Sequence, residues 1–244
     1  PYAPHSIAIM PSKSSKFKLG DKSIFLETDQ KVFKPNLTTI SIIEALKKIK
    51  LKKKINILDM GCGSGVIGIF IKKFLSRKSK VVMVDFSQYA VSLAKKNSKK
   101  NNVKIEVFRS NVFDNVKGKF DLIIDDISAI DEKIAKKFWY NKFIPHKCGS
   151  SGINLTTQVI KKAPFFLKKS GILILPVISL SNYQKVEKNL KKKFKSSKIL
   201  IEKTWPAPLE LKRKFESLLK TKKHYIFDKY GISLCFTRIY MCVK

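Results

Sequence analysis

Apolar positions along the chain gather into short, nearly continuous runs separated by longer mixed segments. Residues 55–59, 81–84, 105–108, 120–124 and 172–177 are rich in Ile, Val and Leu, the pattern of strands buried on both faces. The segments at 66–75, 88–97, 131–140, 157–168 and 182–194 read as helices. Strands alternating with helices predict a twisted, mostly parallel sheet with helices on both faces. Strands at 198–202 and 232–243 bring the expected sheet to seven. The last is β-branched, aromatic and alternating, so the sheet should end in an antiparallel hairpin.

Ahead of this block, Phe17, Leu19, Ile24 and Leu26 alternate about a Gly20-Asp21 turn and predict a β-hairpin. Residues 1–16 hold three prolines and several serines and read as an extended arm. A helix is expected over 40–48 with Ile42, Ile43 and Leu46 inward and Thr38 or Thr39 as its N-cap. The chain thus divides into an N-terminal part, 1–48, and a main domain, 49–244, entered through the charged connector 50–54. Within the main domain, 204–230 is an insertion between the last two strands, opening on a Trp-Pro-Ala-Pro turn. Trp205, Tyr225 and Phe227 either line a pocket there or cover a sheet edge.

With 244 residues and 44% hydrophobic content, the chain can bury a substantial core. Its four cysteines, Cys62, Cys148, Cys235 and Cys242, show neither C-x-x-C spacing nor a neighbouring histidine cluster. Neither a zinc site nor a disulfide framework is indicated, and a reducing cytoplasm is expected. No apolar run approaches the roughly 20 residues that cross a bilayer, and no signal-peptide pattern is present. The net charge of +33 raises the question of nucleic acid. Arginine, the residue with the bidentate fork, occurs only at Arg77, Arg109, Arg213 and Arg238. The lysines spread over every predicted helix and turn, so a compositional bias on solvated faces explains them as well as a ligand does. A nucleic-acid partner stays open and is not favoured.

The chemistry concentrates at 55–68, INILDMGCGSGVIG. A strand ending in Asp59 meets a tight turn through Gly61, Gly63 and Gly65 and then a helix. Glycines at alternate positions let the backbone approach a ligand, because no Cβ intervenes. The G-x-G-x-G spacing differs from the G-x-G-x-x-G of pyrophosphate-binding turns. After the helix, the second strand ends in Asp85, whose carboxylate can accept both hydroxyls of a ribose.

The order ILDMGCGSG, VVMVD, SNVFD, FDLII and KKSGILIL resembles the class I S-adenosylmethionine-dependent methyltransferases across most of the chain. The resemblance implies a Rossmann-like fold and S-adenosyl-L-methionine held by Asp59, Gly61, Cys62, Gly63 and Gly65. It further implies Asp85 and Phe86 at the ribose, with Asn111 and Val112 against the adenine; Asn111 also reads as a plain turn residue. In enzymes resembling this one a V-[FL]-x-P-x-x-x-T element crosses over the cofactor, and here VFKPNLTT would supply Phe33 and Thr38. The same residues read equally as a proline-initiated helix.

The chain looks most like the release-factor glutamine methyltransferase, small-domain branch. That branch ends its fourth strand in Asn-Pro-Pro-Tyr, whose asparagine and proline carbonyl bind a planar amide or amine on which the tyrosine stacks. Here the positions read Asp126-Ile127-Ser128-Ala129, preceded by Asp125. Alternation sends one aspartate into the crevice and the other away. Asp126, in the asparagine's place, is the expected catalytic residue, with Asp125 the alternative; an aspartate capping the next turn is the competing reading. The helix at 131–140, with Ile134, Phe138 and Trp139, serves as core or borders the substrate. His146 is a candidate base without an identified partner.

Without Asn-Pro-Pro-Tyr or a recognisable RNA-binding module, the expectation is methyl transfer to N or O of a small-molecule substrate. The alternatives are a protein or RNA methyltransferase, non-methyl-transfer use of the cofactor releasing methylthioadenosine, and a binding module without turnover. No metal is expected, and the oligomeric state is not legible.

Overall fold

The computed structural model describes residues 15–140, 143–144, 147–214 and 226–244. His146 and Tyr225 lie outside the described residues, as does the arm before Ser15. Strands β1 (Ser15–Leu19) and β2 (Lys22–Leu26) pair antiparallel around the expected Gly20-Asp21 turn. Helix α1 (Leu37–Lys47) starts earlier than expected and is capped by Asn36, not by a threonine. The Asn36 Oδ1 accepts from the backbone N–H groups of Thr38 and Thr39 at 2.9 and 3.2 Å. A short amide satisfies two of the unpaired donors of the first turn. The Thr39 hydroxyl oxygen returns the bond by accepting from Asn36 N at 3.5 Å, and its O–H is left to donate elsewhere.

The main domain then runs β3 (Asn56–Met60), α2 (Val66–Phe70), β4 (Lys80–Asp85), α3 (Gln88–Lys100), β5 (Glu106–Arg109) and β6 (Phe120–Asp125). Helix α2 continues as a π-helical turn through Ile71–Leu75. Next come α4 (Glu132–Phe138), α5 (Asn154–Phe166), β7 (Leu167–Ile178), α6 (Tyr183–Lys193) and β8 (Ser196–Pro206). The chain closes with α7 (Leu211–Lys214), β9 (Phe227–Lys229) and β10 (Ile232–Val243).

The strands lie in the order β5-β4-β3-β6-β7-β10-β8, with β9 added to the end of β10. Pairs β3/β4, β4/β5, β3/β6 and β6/β7 are parallel, whereas β10 is antiparallel to both β7 and β8. Neighbouring residues of one strand serve opposite faces. Ile57 and Ile124 pack with Ile69, Phe70 and Met83, while Leu58 and Ile123 pack with Val159, Leu175 and Leu190. Both faces are covered, which is why the strands read as unbroken apolar runs.

Two differences from expectation have local causes. Strand β7 starts at Leu167 rather than 172, because α5 passes straight into it; an irregular register between Phe120 and Leu122 absorbs the extra residues. Strand β8 runs on to Pro206 because the long β10 offers partners that far, pairing Cys235 with Trp205. Trp205 is consequently buried, donates its indole N–H to Thr237 Oγ1 at 3.0 Å and meets Trp139 edge-on. It covers the end of the sheet, and the first residues of the expected insertion belong to a strand.

The N-terminal hairpin is fastened by two buried asparagines, Asn97 in the last turn of α3 and Asn101 as its C-cap. Asn97 accepts from the Glu27 N–H and donates to the carbonyls of Glu27 and Ser64. Asn101 exchanges the same pair of bonds with Phe25. Each side chain imitates a strand neighbour for the edge of β2. Asn97 thereby also ties the hairpin to the glycine loop.

Candidate functional site

Strand order reverses at β3, with β4 on one side and β6 on the other, so a crevice opens beyond the carboxyl ends of these strands. The 61–65 loop lies there, with Gly61, Gly63 and Gly65 all at positive φ. The N–H groups of Gly61 and Cys62 both donate to Val84 O, and Gly65 N donates to Cys62 O at 2.7 Å. A Cβ on Gly61 would stand 2.5 Å from Ile127 Cγ2, so the loop and the β6 exit are in contact. A Cβ on Gly63 would meet only Phe33 O, at 3.7 Å. The arm before α1 therefore crosses the loop at Phe33 and leaves a cradle over Gly63.

Four carboxyl groups converge at this end of the sheet. Asp85 Oδ2 accepts from Gly63 N at 3.0 Å and Oδ1 from Ser87 N at 2.8 Å. Each oxygen keeps a second lone pair for a hydroxyl. Asp59 is buried; its Oδ2 accepts from Gly68 N at 2.9 Å, and its Oδ1 has no hydrogen-bond partner among the described residues. Burial pushes its carboxyl up to about 7. Asp125 is also buried and pushed up to about 7, with Oδ1 accepting from Ile127 N at 3.1 Å. Its bond closes a turn.

Asp126 is turned the other way. Its N–H extends the β6 pairing to Met60 O at 3.0 Å, and its Oδ2 accepts the Thr39 hydroxyl at 2.8 Å. Desolvation raises its carboxyl well above the ordinary range, opposed by the Thr39 bond and reinforced by Asp59 and Asp125. Thr39, one residue beyond the expected Thr38, is thus the threonine that reaches this end of the sheet. Thr38 is buried with its N–H on the Asn36 cap.

The remaining expected residues are distributed along the rim. Phe86 is exposed, with the Arg109 guanidinium 5.2 Å above its ring and Arg109 Nε donating to its carbonyl. Asn111 directs its side-chain amide to Asp114 Oδ2 at 3.1 Å, as a turn residue does. Val112 is buried at φ 50, a conformation that a β-branched residue seldom adopts. Burial pushes the Cys62 thiol well above its usual range, led by desolvation and then Asp85, so it is no nucleophile. Trp139 packs into the cluster around Ala129, Ile178 and Trp205. Tyr140, beside it, was not singled out by periodicity. It donates to Ser128 Oγ at 2.8 Å and stacks on Phe33 with ring centroids 4.9 Å apart.

The arrangement fits S-adenosylmethionine. The cradle over Gly63 admits a nucleoside edge, Asp85 has free lone pairs beside it, and the unpartnered Asp59 Oδ1 can accept from an ammonium. Among the described residues, no group of three or more His, Cys, Asp or Glu is placed to hold a metal ion. No described helix is long and apolar enough to cross a membrane.

Comparison with known proteins bears on the acceptor. Residues 35–127 match the methyltransferase small domain model. A putative protein N5-glutamine methyltransferase of Methanocaldococcus jannaschii is 34% identical over 174 residues, 70% of this chain and 84% of that protein. The ribosomal protein L11 methyltransferase of Thermosipho melanesiensis is 33% identical over 65% of this chain, which spans about half (52%) of that relative's length. Among solved structures, the ribosomal protein L11 methylase of Lactobacillus delbrueckii subsp. bulgaricus shares the fold with a TM-score of 0.55 at 18% identity, over 87% of this chain and 81% of that one. The 16S rRNA N2 methyltransferase of T. thermophilus, solved with AdoMet and guanosine, has a TM-score of 0.61 at 15% identity, over 93% of this chain and 50% of that one.

The names of the sequence relatives overturn the expectation of a small-molecule substrate, since they refer to a protein glutamine and a ribosomal protein. The inference had rested on the missing Asn-Pro-Pro-Tyr. That motif bears on the chemistry of the accepting group, not on the size of the molecule that carries it.

Proposed function

This chain belongs to the class I S-adenosylmethionine-dependent methyltransferases, and from that membership we propose that it methylates a nitrogen of a protein substrate. S-adenosylmethionine is the cofactor. In this reading Asp59, Gly61, Cys62, Gly63 and Gly65 seat it, Asp85 holds the ribose, and Phe86, Asn111 and Val112 flank the base. Phe33 covers it from the arm. Bound there, the cofactor supplies a methyl group on a sulfonium sulfur that keeps the electron pair of the broken bond.

The observation that carries the reading is the Asp126 carboxylate, anchored by Thr39 at the end of β6. A nitrogen attacks through its lone pair, so a protonated acceptor must first give up a proton. In its ionised form the Asp126 carboxylate receives that proton. Asp126 Oδ1 makes no hydrogen bond among the described residues and is the receiving atom. The rest of the catalysis is alignment and exclusion of water. The arm across Gly63 and the Phe33–Tyr140 stack supply a cover.

The protein reading draws on the relatives named for glutamine and L11 methylation. An RNA acceptor is the second reading, favoured by the net charge of +33. Incubation of the enzyme with methyl-labelled cofactor and a ribosome-rich cell extract separates them. Label that protease removes and ribonuclease does not is expected. Label confined to ribonuclease-sensitive material, or to molecules that pass a small-pore filter, would refute the proposal. The methylthioadenosine route has no counterpart among the named relatives, and the same incubation should release S-adenosylhomocysteine alone.

A further inference from the structure

We propose that the amino end of the sheet, the pole opposite the cofactor crevice, is a docking surface for single-stranded RNA. The inference is independent of which nitrogen is methylated, because the length of the strands separates this pole from the crevice. Lysine is not spread evenly over the fold. The loops leaving β3, β4, β5, β6 and β7, at 61–65, 86–87, 110–116, 126–131 and 179–182, contain neither lysine nor arginine. The segments that lead into the strands read KLKKK at 50–54, RKSK at 77–80 and KGK at 117–119, and β7 opens on Lys168 and Lys169. Lys195 precedes β8 and Lys244 follows β10, whose antiparallel run returns the chain to the same pole. A chain-wide lysine bias would fill both ends alike.

Helix ends attract lysine through the macrodipole, and α1, α3 and α6 do finish at this pole with basic last turns. That field fades within one turn, short of 52–54, and no helix adjoins 117–119. The acids that open strands here are already paired, Glu106 with Lys80 at 3.4 Å and Asp121 with Lys168 at 2.7 Å. Lys50, Lys53, Lys54, Lys78, Lys104 and Lys117 are exposed and make no ion pair among the described residues. Their backbone is pinned. The buried Ser76 hydroxyl reaches the carbonyls of Lys52 and Lys53 at 3.1 and 3.3 Å, and the buried Ser79 Oγ accepts from Ile55 N at 3.0 Å, which ties the segments into β3 and β4 together.

Along the order β5-β4-β3-β6-β7-β10-β8, six spacings of about 4.8 Å make a cationic strip about 29 Å long. Such a strip can follow several consecutive phosphates of one strand and gain affinity by releasing their counterions. Two features select a single strand. Phe165 is 71% exposed beside 117–119, where Lys119 Nζ donates to its carbonyl. Among the segments into β4, β5 and β6 lies a recess of about 380 Å³, lined by Val82, Phe108 and Phe120 and by Lys80, Lys117 and Lys119. An exposed ring stacks on an unpaired base, and an apolar recess bordered by ammonium groups admits one between its phosphates. A duplex offers neither of them a free base face.

The test titrates a fluorescein-labelled, mixed-sequence RNA of about 20 nucleotides with the intact protein and follows anisotropy from about 50 to about 300 mM salt. Two variants of equal net charge are compared. One is Lys53→Gln/Lys54→Gln/Lys78→Gln/Lys117→Gln at the pole; the other is Lys133→Gln/Lys137→Gln/Lys185→Gln/Lys229→Gln at the carboxyl end. The pole variant should lower the slope of log affinity against log salt by about 2–3 and weaken binding at least about tenfold, and the other should change the slope by less than about 1. Phe165→Ala should weaken the single strand about tenfold and leave a duplex of the same length unaffected. Affinity for S-adenosylhomocysteine should be the same in every variant, which also reports that each is folded, and should not change when RNA is bound. Equal losses in the two lysine variants, competition between RNA and S-adenosylhomocysteine, or binding to phosphatidylserine vesicles that survives at salt where RNA is released would each overturn the docking surface. None of these outcomes touches the methyl acceptor, which the labelling of the cell extract reads separately.

Discussion

Substituting alanine at Gly61 and, separately, at Gly63 tests whether the glycine loop is braced by the β6 exit on one side and open to a ligand on the other. Both residues have positive φ, 72° and 51°, so each alanine carries the left-handed penalty of about 1–2 kcal/mol. Their surroundings differ. At Gly61 the new methyl would lie 2.5 Å from Ile127 Cγ2, 3.0 Å from Ile127 N and 3.1 Å from the Asp126 carbonyl carbon. The latter two belong to backbone pinned by the bonds to Met60 O and Asp125 Oδ1. A side-chain rotation cannot relieve them, and overpacking adds about 1–3 kcal/mol. Gly61→Ala should thus destabilise by about 2–5 kcal/mol, whereas Gly63→Ala should lose only the backbone part, about 1–2 kcal/mol. Urea titration measures this as a shift of midpoint at constant slope. Calorimetry with S-adenosylhomocysteine should rank the variants in the opposite sense relative to stability. The Gly63 methyl enters the cradle, and affinity should fall at least tenfold although the fold is barely affected. Equal midpoints for the two variants, or unimpaired affinity in Gly63→Ala, would refute the geometry.

Other outcomes follow from single contacts. Asp85→Ala should weaken cofactor binding far more than Asp126→Ala, because in the proposed seat Asp85 holds the ribose and Asp126 does not; comparable calorimetric losses would count against the assigned roles. Asp125→Asn should flatten the pH dependence of stability. Its carboxyl is raised from the ordinary range to about 7, so the folded state retains a proton that the unfolded chain releases. Its contribution is greatest at low pH, declines as pH rises from about 4 to about 7 and then levels, by at most about 4 kcal/mol. Denaturation midpoints at pH 5 and pH 8 should converge in the variant, and an unchanged difference would exclude Asp125 as the source. Asn97→Ala removes the bonds to Glu27 N, Glu27 O and Ser64 O. It should destabilise by about 2–4 kcal/mol, with faster hydrogen exchange in β1 and β2 as the local signature.

What the sequence determined by itself was the strand–helix alternation, the loop at Gly61, Gly63 and Gly65, Asp85 at the tip of the second strand, and the antiparallel closing strand. All of these follow from short-range periodicity and backbone freedom, which a few neighbouring residues suffice to encode. Tertiary structure decided the rest. Thr39 meets Asp126 across 87 residues of chain, donating to it while its oxygen accepts from the Asn36 N–H of the cap. Asn97 and Asn101 look like ordinary helix-surface residues until the edge of β2, 70 and 76 residues away, offers them its backbone. Asp125 and Asp126 are chemically identical neighbours, separated only by the pleat that turns one into the core and the other toward α1. Tyr140 meets Ser128 and Phe33 only because the chain after α4 turns back over the β6 exit. Contacts of this kind depend on the direction of side chains from distant elements, and no local pattern of apolar and polar residues carries that information.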